Sequence, residues 1–167
     1  MTLEVLLDSI QLAFATTPHP GANHITNANC CAECDALAAW YGVRSWQHVR
    51  DELRASVGRT NVDHSPSMLF VPAAFHYFIP AFLLHSIDPF DAADTNRLYA
   101  CVFPLVPLVD SDPGSIEAFK RDKLPWFDRQ QRQVIADYLE FLLNVENDSA
   151  DFYRDQILFG HQNIWNS

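Results

Sequence analysis

MLFVPAAFHYFIPAFLLHSI, residues 68–87, runs for twenty residues without a Lys, Arg, Asp or Glu. Its length matches the apolar thickness of a bilayer. Its content does not fit a lone span: Pro72, Pro80, His76 and His85 interrupt it. The basic residues that would orient a span are missing, and Asp88, Asp91 and Asp94 follow instead. The run is therefore expected as the buried central helix of a water-soluble protein. Proline suits a first helical turn, where its missing donor costs nothing, so the helix should begin at Pro72, after an extended lead-in over 68–71. Pro80 cannot bond the carbonyl of His76, and a kink is expected there. Nearly every side of this helix is apolar, which requires neighbours on most sides.

Those neighbours can be read from the flanking sequence. Thr2 is placed to cap a helix in which Leu3, Leu6, Leu7, Ile10 and Phe14 recur at helical spacing. Thr16-Thr17-Pro18-His19-Pro20-Gly21 ends it. A second helix is expected over 29–41, with Cys30, Cys34, Leu37, Ala38 and Tyr41 inward and Gly42 as its stop. Ser45 should cap a third, striped by Trp46, Val49, Leu53 and Val57 and closed by Gly58. Beyond the central helix, residues 94–109 read as a short helix followed by an extended piece. A further short helix is expected near 115–120. Asp128 and Gln131 have the spacing of a capping box for a strong helix carrying Val134, Ile135, Tyr138, Leu139, Phe141, Leu142 and Val145. Residues 144–148 break or bend that helix before a last segment that Gly160 ends. No repeat or linker interrupts the pattern. The expectation is an all-α fold, an irregular single-domain bundle over residues 1–167 wrapped around a kinked, buried central helix.

Composition narrows the function. The formal net charge is −10, with 21 acidic and 11 basic residues. A nucleic-acid binder needs a basic face to displace counterions, so that class is not expected. Anionic membrane surfaces are disfavoured for the same reason. The attraction is toward a basic protein partner. Residues 61–113 are the most negative third, net −5, and hold the apolar run as well. The first ten residues, MTLEVLLDSI, lack the basic start of an export signal and carry Glu4 and Asp8. A cytoplasmic location with reduced cysteines is therefore expected.

Cys30, Cys31, Cys34 and Cys101 are the chain's four cysteines. Cys31 and Cys34 are spaced as a zinc-ligand pair, and His19, His24 or Cys101 would have to complete a tetrahedron. No second pair follows at a matching spacing. Cys30 and Cys34 fall on the stripe with Leu37 and Tyr41, where cysteine acts as a small hydrophobe, so packed thiols are the first expectation. Metal binding, or nucleophilic and redox use at a helix start, are the alternatives. His76 is expected as a hydrogen-bonded core residue rather than a proton carrier; His64, His85 and His161 have no partner at a recognisable spacing. Glu33 and Asp35 on the second helix could supply carboxylates, and an exposed polar face explains them equally well. No phosphate-cradling loop, nucleophile elbow or metalloprotease helix is present. Enzyme chemistry is unsupported, and no cofactor, metal site or catalytic residue is expected. Trp40, Trp46 and Trp126 are expected in the core, whereas Trp165, near the C-terminal end, would be an interface residue if exposed.

The order of these pieces also has a counterpart. Ala13-Phe14, Pro18, Pro20-Gly21, Cys31 and Cys34 with Glu33, and Trp46 form a first half. LFVPAAFHYFIPAFL at 69–83 and residues 127–139 around Gln130 and Gln131 form a second. Together they resemble a family of small bacterial proteins classed only as a domain of unknown function, with a central Pro-x7-Pro apolar helix and a C-terminal Gln-containing helix. The resemblance implies a bacterial cytosolic protein and supplies no activity.

Function is thus expected in a non-enzymatic protein-binding role, with immunity to a bacterial toxin as its sharpest form. Asp88, Asp91, Asp94, Asp110 and Asp112 would steer a basic toxin cleft onto the surface, with Trp165 as an anchor. The rival expectation is a metal- or thiol-dependent enzyme using Cys30, Cys31, Cys34 and a histidine. Partner identity and oligomeric state are not written in the sequence.

Overall fold

Helix α4, Pro72–Ile87, is the centre of the molecule in this computed structural model, which describes residues 1–27, 31–55, 69–88, 95–107, 112–146 and 148–166. Pro72 occupies the first turn, and the helix runs unbroken through Pro80. Every residue from 77 to 87 is buried. An all-round apolar helix forces packing on several sides, and α4 is packed against the three helices α1 (Leu3–Phe14), α3 (Trp46–Ala55) and α5 (Thr95–Leu105).

The fold is all-α: among the described residues only an isolated antiparallel bridge, Thr26 to Phe70, has β character. That bridge, with the Val71 amide donating to the Ile25 carbonyl at 3.0 Å, ties the lead-in of α4 to the chain after α1. Thr2 caps α1, and Leu6, Ile10, Ala13 and Phe14 form its inner face. Gly21 lies at φ +91°, a conformation that favours glycine, and opens a 3₁₀ turn at Ala22–His24. Helix α2, Ala32–Tyr41, begins after Cys31; Asn29 and Cys30, the expected start, lie outside the described residues. In α3 the Ser45 hydroxyl accepts the His48 amide at 3.2 Å, and Trp46, Val49 and Leu53 point inward as the stripe requires. Val57 and Gly58 lie outside the described residues.

The C-terminal half completes the bundle. Helix α5 runs through Pro104 to Leu105. Asp112 caps α6, Pro113–Asp122, a surface helix without a buried residue. A 3₁₀ turn, Leu124–Trp126, then leads to α7, Arg129–Asn144. The capping box forms as read: the Gln131 amide donates to Asp128 at 2.8 Å, and the Gln131 side-chain oxygen accepts the Asp128 amide at 3.1 Å. Helix α7 packs on α1 and on α9 (Arg154–Gly160), which follows the short α8 (Asp148–Phe152).

Two expectations fail at the C-terminal end. Gly160 does not stop the chain's helical course; a π-helical turn, His161–Trp165, continues it. The glycine is needed because a Cβ there would lie 2.3 Å from Val106 Cγ2, so the last helix and the end of α5 meet over a bare backbone. Trp165 is not an exposed anchor. It is 3 % exposed, its ring stands edge-on to Phe127 at 5.1 Å, and its Nε1 donates to the Leu105 carbonyl at 3.0 Å. That bond satisfies the indole's polar tip while its rings fill the core.

Among the described residues no helix is long and apolar enough to cross a membrane.

Candidate functional site

The expected acidic rim is represented by two residues in the described structure. Asp88 follows α4 and forms an ion pair with Arg54 of α3 at 3.2 Å. Asp112 is committed to α6: its carboxylate accepts the Ser115 amide at 3.1 Å and the Ser115 hydroxyl at 2.6 Å. The Ser115 hydroxyl, together with backbone amides, holds the Asp112 carboxyl below the ordinary aspartate range. Asp91, Asp94 and Asp110 lie outside the described residues. Asp88 and Asp112 therefore already have internal work, one as an ion-pair partner and one as a cap.

A different acidic surface lies on α7 beside Met1. Met1 with Asp137, Glu140, Phe141, Asn144 and Val145 encloses a cleft of about 180 Å³. Phe141 and Val145 give it apolar walls, and Glu140 is exposed at its mouth. Residues Glu4, Val5, Asp8 and Leu12 are exposed along α1. Leu6, Ile10 and Phe14 take the inner face of that helix, so this outer stripe, with apolar Val5 and Leu12 among acids, is not spent on the core. In the sequence this face is hidden, because the inner stripe alone explains the helix. Its signal was a second apolar spacing, Val5 to Leu12, flanking Asp8.

The cysteines sit elsewhere. Cys31 has extended backbone and caps α2, its Sγ accepting the Cys34 amide at 3.4 Å. Cys31 is exposed and Cys34 is buried. The Cys34 carbonyl accepts the buried Thr26 hydroxyl at 3.0 Å, which fixes the first turn of α2 to the chain before it. Cys30 lies outside the described residues. Among the described residues no three His, Cys, Asp or Glu side chains gather as a metal site would require. His19, one of the proposed extra ligands, instead packs edge-on to Tyr77 at 4.8 Å.

Two polar clusters within the bundle are structural. In the first, the Gln131 side chain joins three helical segments. Its amide nitrogen donates to the Ala13 carbonyl at 3.2 Å and to the Thr17 hydroxyl at 3.1 Å. Its oxygen, besides accepting the Asp128 amide, lies 2.9 Å from His76 Nε2, so His76 is the donor there. Burial lowers the His76 pKa, while the Gln131 bond and the charge of Asp128 oppose that shift. The expected hydrogen-bonded histidine is thus present, at the edge of the core. In the second cluster Ser86 donates to the Leu83 carbonyl at 2.7 Å and lies 2.8 Å from the Tyr138 hydroxyl. Cys101 adjoins them, and burial pushes its thiol up to about 12 and the Tyr138 phenol well above its ordinary value. Both shifts favour the neutral thiol and phenol. Nearby Arg97 is buried and donates through Nε to the His85 carbonyl at 2.8 Å.

Lys123 was missed altogether. Its Nζ lies 4.3 Å from the Phe75 ring centre and 5.1 Å from that of Phe119, and it donates to the Pro104 carbonyl at 3.3 Å. Burial lowers its pKa to about 8. Its sequence signal was a lysine directly before the apolar Leu124-Pro125-Trp126-Phe127.

No family model, curated protein or solved structure matches the chain.

Proposed function

We propose that the protein is a non-enzymatic binding protein that covers a basic protein partner, with immunity to a bacterial toxin as its sharpest form. The observation that carries this reading is the cleft between the start of α1 and α7. Apolar walls at Phe141 and Val145 with carboxylates at Asp137 and Glu140 suit one long cationic side chain. Arginine and lysine place their methylene stems on apolar surface and their charge at its edge, and arginine is enriched among interface anchors. Glu4, Val5, Asp8 and Leu12 are a second exposed set that mixes acids with apolar side chains, on α1. The overall charge of −10 adds long-range attraction for such a partner. Steering of this kind raises association rates by about 10–10³-fold and fades with salt.

The test pairs the wild-type chain with the double variant Asp137→Asn/Glu140→Gln as baits in extracts of the source organism. A basic protein recovered in equimolar amount by wild type, and depleted at least about tenfold by the variant, is expected. Its capture should weaken as salt is raised. Equal recovery by both baits, or partners that are all acidic, contradicts the cleft as the binding surface.

A further inference from the structure

Lysine occurs only at Lys120 and Lys123 in this chain, one in the last turn of α6 and one just after it. Their surroundings differ. Lys120 lies 3.7 Å from the Glu117 carboxylate. Lys123 turns toward the bundle, where its Nζ sits over the Phe75 ring of α4 and the Phe119 ring of α6. Its hydrogen bond goes to the Pro104 carbonyl, near the end of α5. Among the described residues no carboxylate pairs with it. We propose that Lys123 is a carbonyl-capture site, where small uncharged aldehydes bind covalently and reversibly as imines.

Three elements, α4, α5 and α6, make the surroundings of this amine. The two rings attract an ammonium, yet they also displace water, and no carboxylate takes the water's place. Desolvation is the larger effect and brings the pKa to about 8. The other charged and titratable groups on these elements and on the turn that follows are engaged elsewhere. Arg121 pairs with Asp122, Arg132 donates to the Leu124 and Phe127 carbonyls, and His76 bonds Gln131. Cys101 is buried beside Ser86 and Tyr138. An ammonium nitrogen has no lone pair and cannot attack a carbonyl; an amine relieved of its proton by an apolar setting can. At pH 7.5 roughly a quarter of the Lys123 amines are neutral, against about one in a thousand for an ordinary lysine.

The neutral Nζ adds to the aldehyde carbon, one N–H proton passes to the carbonyl oxygen, and a carbinolamine forms. Loss of water takes the second N–H proton with the hydroxyl group and leaves a C=N bond. No charge is created, and addition of water reverses both steps. Lys123 is half-buried rather than enclosed, so a small molecule has a path to it. The rings favour an uncharged ligand, and the chain's net charge of −10 disfavours an anionic one.

The test incubates the full-length chain with propanal and cyanoborohydride, which reduces the imine to a stable secondary amine, and maps the label by peptide mass. At pH 7.5 Lys123 should be labelled at least about tenfold faster than Lys120. Its rate should rise with pH to a midpoint near 8. Without reductant, dilution should return the unmodified mass. Phe119→Ala, on a helix that buries no residue, should move the midpoint upward by readmitting water. In urea that unfolds the chain, the two lysines should label alike. Succinic semialdehyde, which carries a carboxylate, should show a smaller preference for Lys123 than propanal does. The proposal is overturned if Lys120 is labelled as fast as Lys123 at pH 7.5, or if the Lys123 rate has no midpoint below about pH 10. It is equally overturned if the preference survives in urea, or if the anionic probe shows the greater preference.

Discussion

Lys123 shows how much a single residue can cost in a bundle of this size. Its ammonium is held between the rings of Phe75 and Phe119, where burial brings its pKa from 10.5 to about 8. Below about pH 8 the lysine is charged in folded and unfolded chains alike, and the folded state bears the desolvation cost. Between about 8 and 10.5 the unfolded chain holds more protons than the folded one, so this group makes stability rise with pH across that window. The shift is worth roughly 3 kcal/mol, and the two ring contacts return about 1–2 kcal/mol of it. Lys123→Met is accordingly expected to raise stability at pH 7 by about 1–2 kcal/mol and to remove the rise above pH 8. Denaturant midpoints at pH 7 and pH 10 measure both effects; a variant less stable at pH 7 would show that the cation is net stabilising. No periodicity announces this residue, because its environment is assembled from α4 and α6, far apart in sequence. Trp165 was misread for the same kind of reason: its partners Phe127 and Leu105 are distant neighbours.

At the level of elements, Gln131 joins what the helices alone would leave loose. Local sequence identified its capping role, since Asp128 and Gln131 are three residues apart. Local sequence did not disclose that the same side chain reaches Ala13, Thr17 and His76. Gln131→Leu fills the space but leaves those groups and the Asp128 amide without the partner they have now. A loss of about 2–4 kcal/mol is expected from unmet polar groups at a partly buried site. It should be read as a lowered urea midpoint with an unchanged slope; a loss under about 0.5 kcal/mol would mean that water replaces the glutamine at little cost. His76 in this junction also makes the fold acid-sensitive. Its folded pKa lies below the ordinary histidine value, so stability is lost as pH falls below that value. The other element boundaries divide in the same way. Pro72, Ser45 and Asp128 mark starts through chemistry confined to one turn, and each start was legible. Gly160 was read as a stop because glycine often ends helices, whereas its role depends on Val106, more than fifty residues earlier.

The whole molecule follows from where its charges are missing. A segment with no charged residue became the central helix, and α1, α3 and α5 pack apolar side chains against it. This pattern made the all-α architecture readable from sequence. The functional surface was less readable, because charge is a property of the exterior and the sequence does not say which acids share a face. The aspartates beside the apolar run were the natural choice, yet Asp88 and Asp112 are tied to Arg54 and Ser115. The cleft beside α7 offers carboxylates together with apolar walls, and Met1 lines its other side. The binding surface presupposes that α4 is the interior and that α1 and α7 present their outer faces to water. Amide hydrogen exchange followed by mass spectrometry measures this directly. Peptides from residues 75–87 should exchange slowest, at a rate set by global unfolding, while those from α6, which buries no residue, exchange far sooner. Exchange in residues 75–87 as fast as in α6 would contradict a buried central helix and, with it, the placement of every surface argued from it.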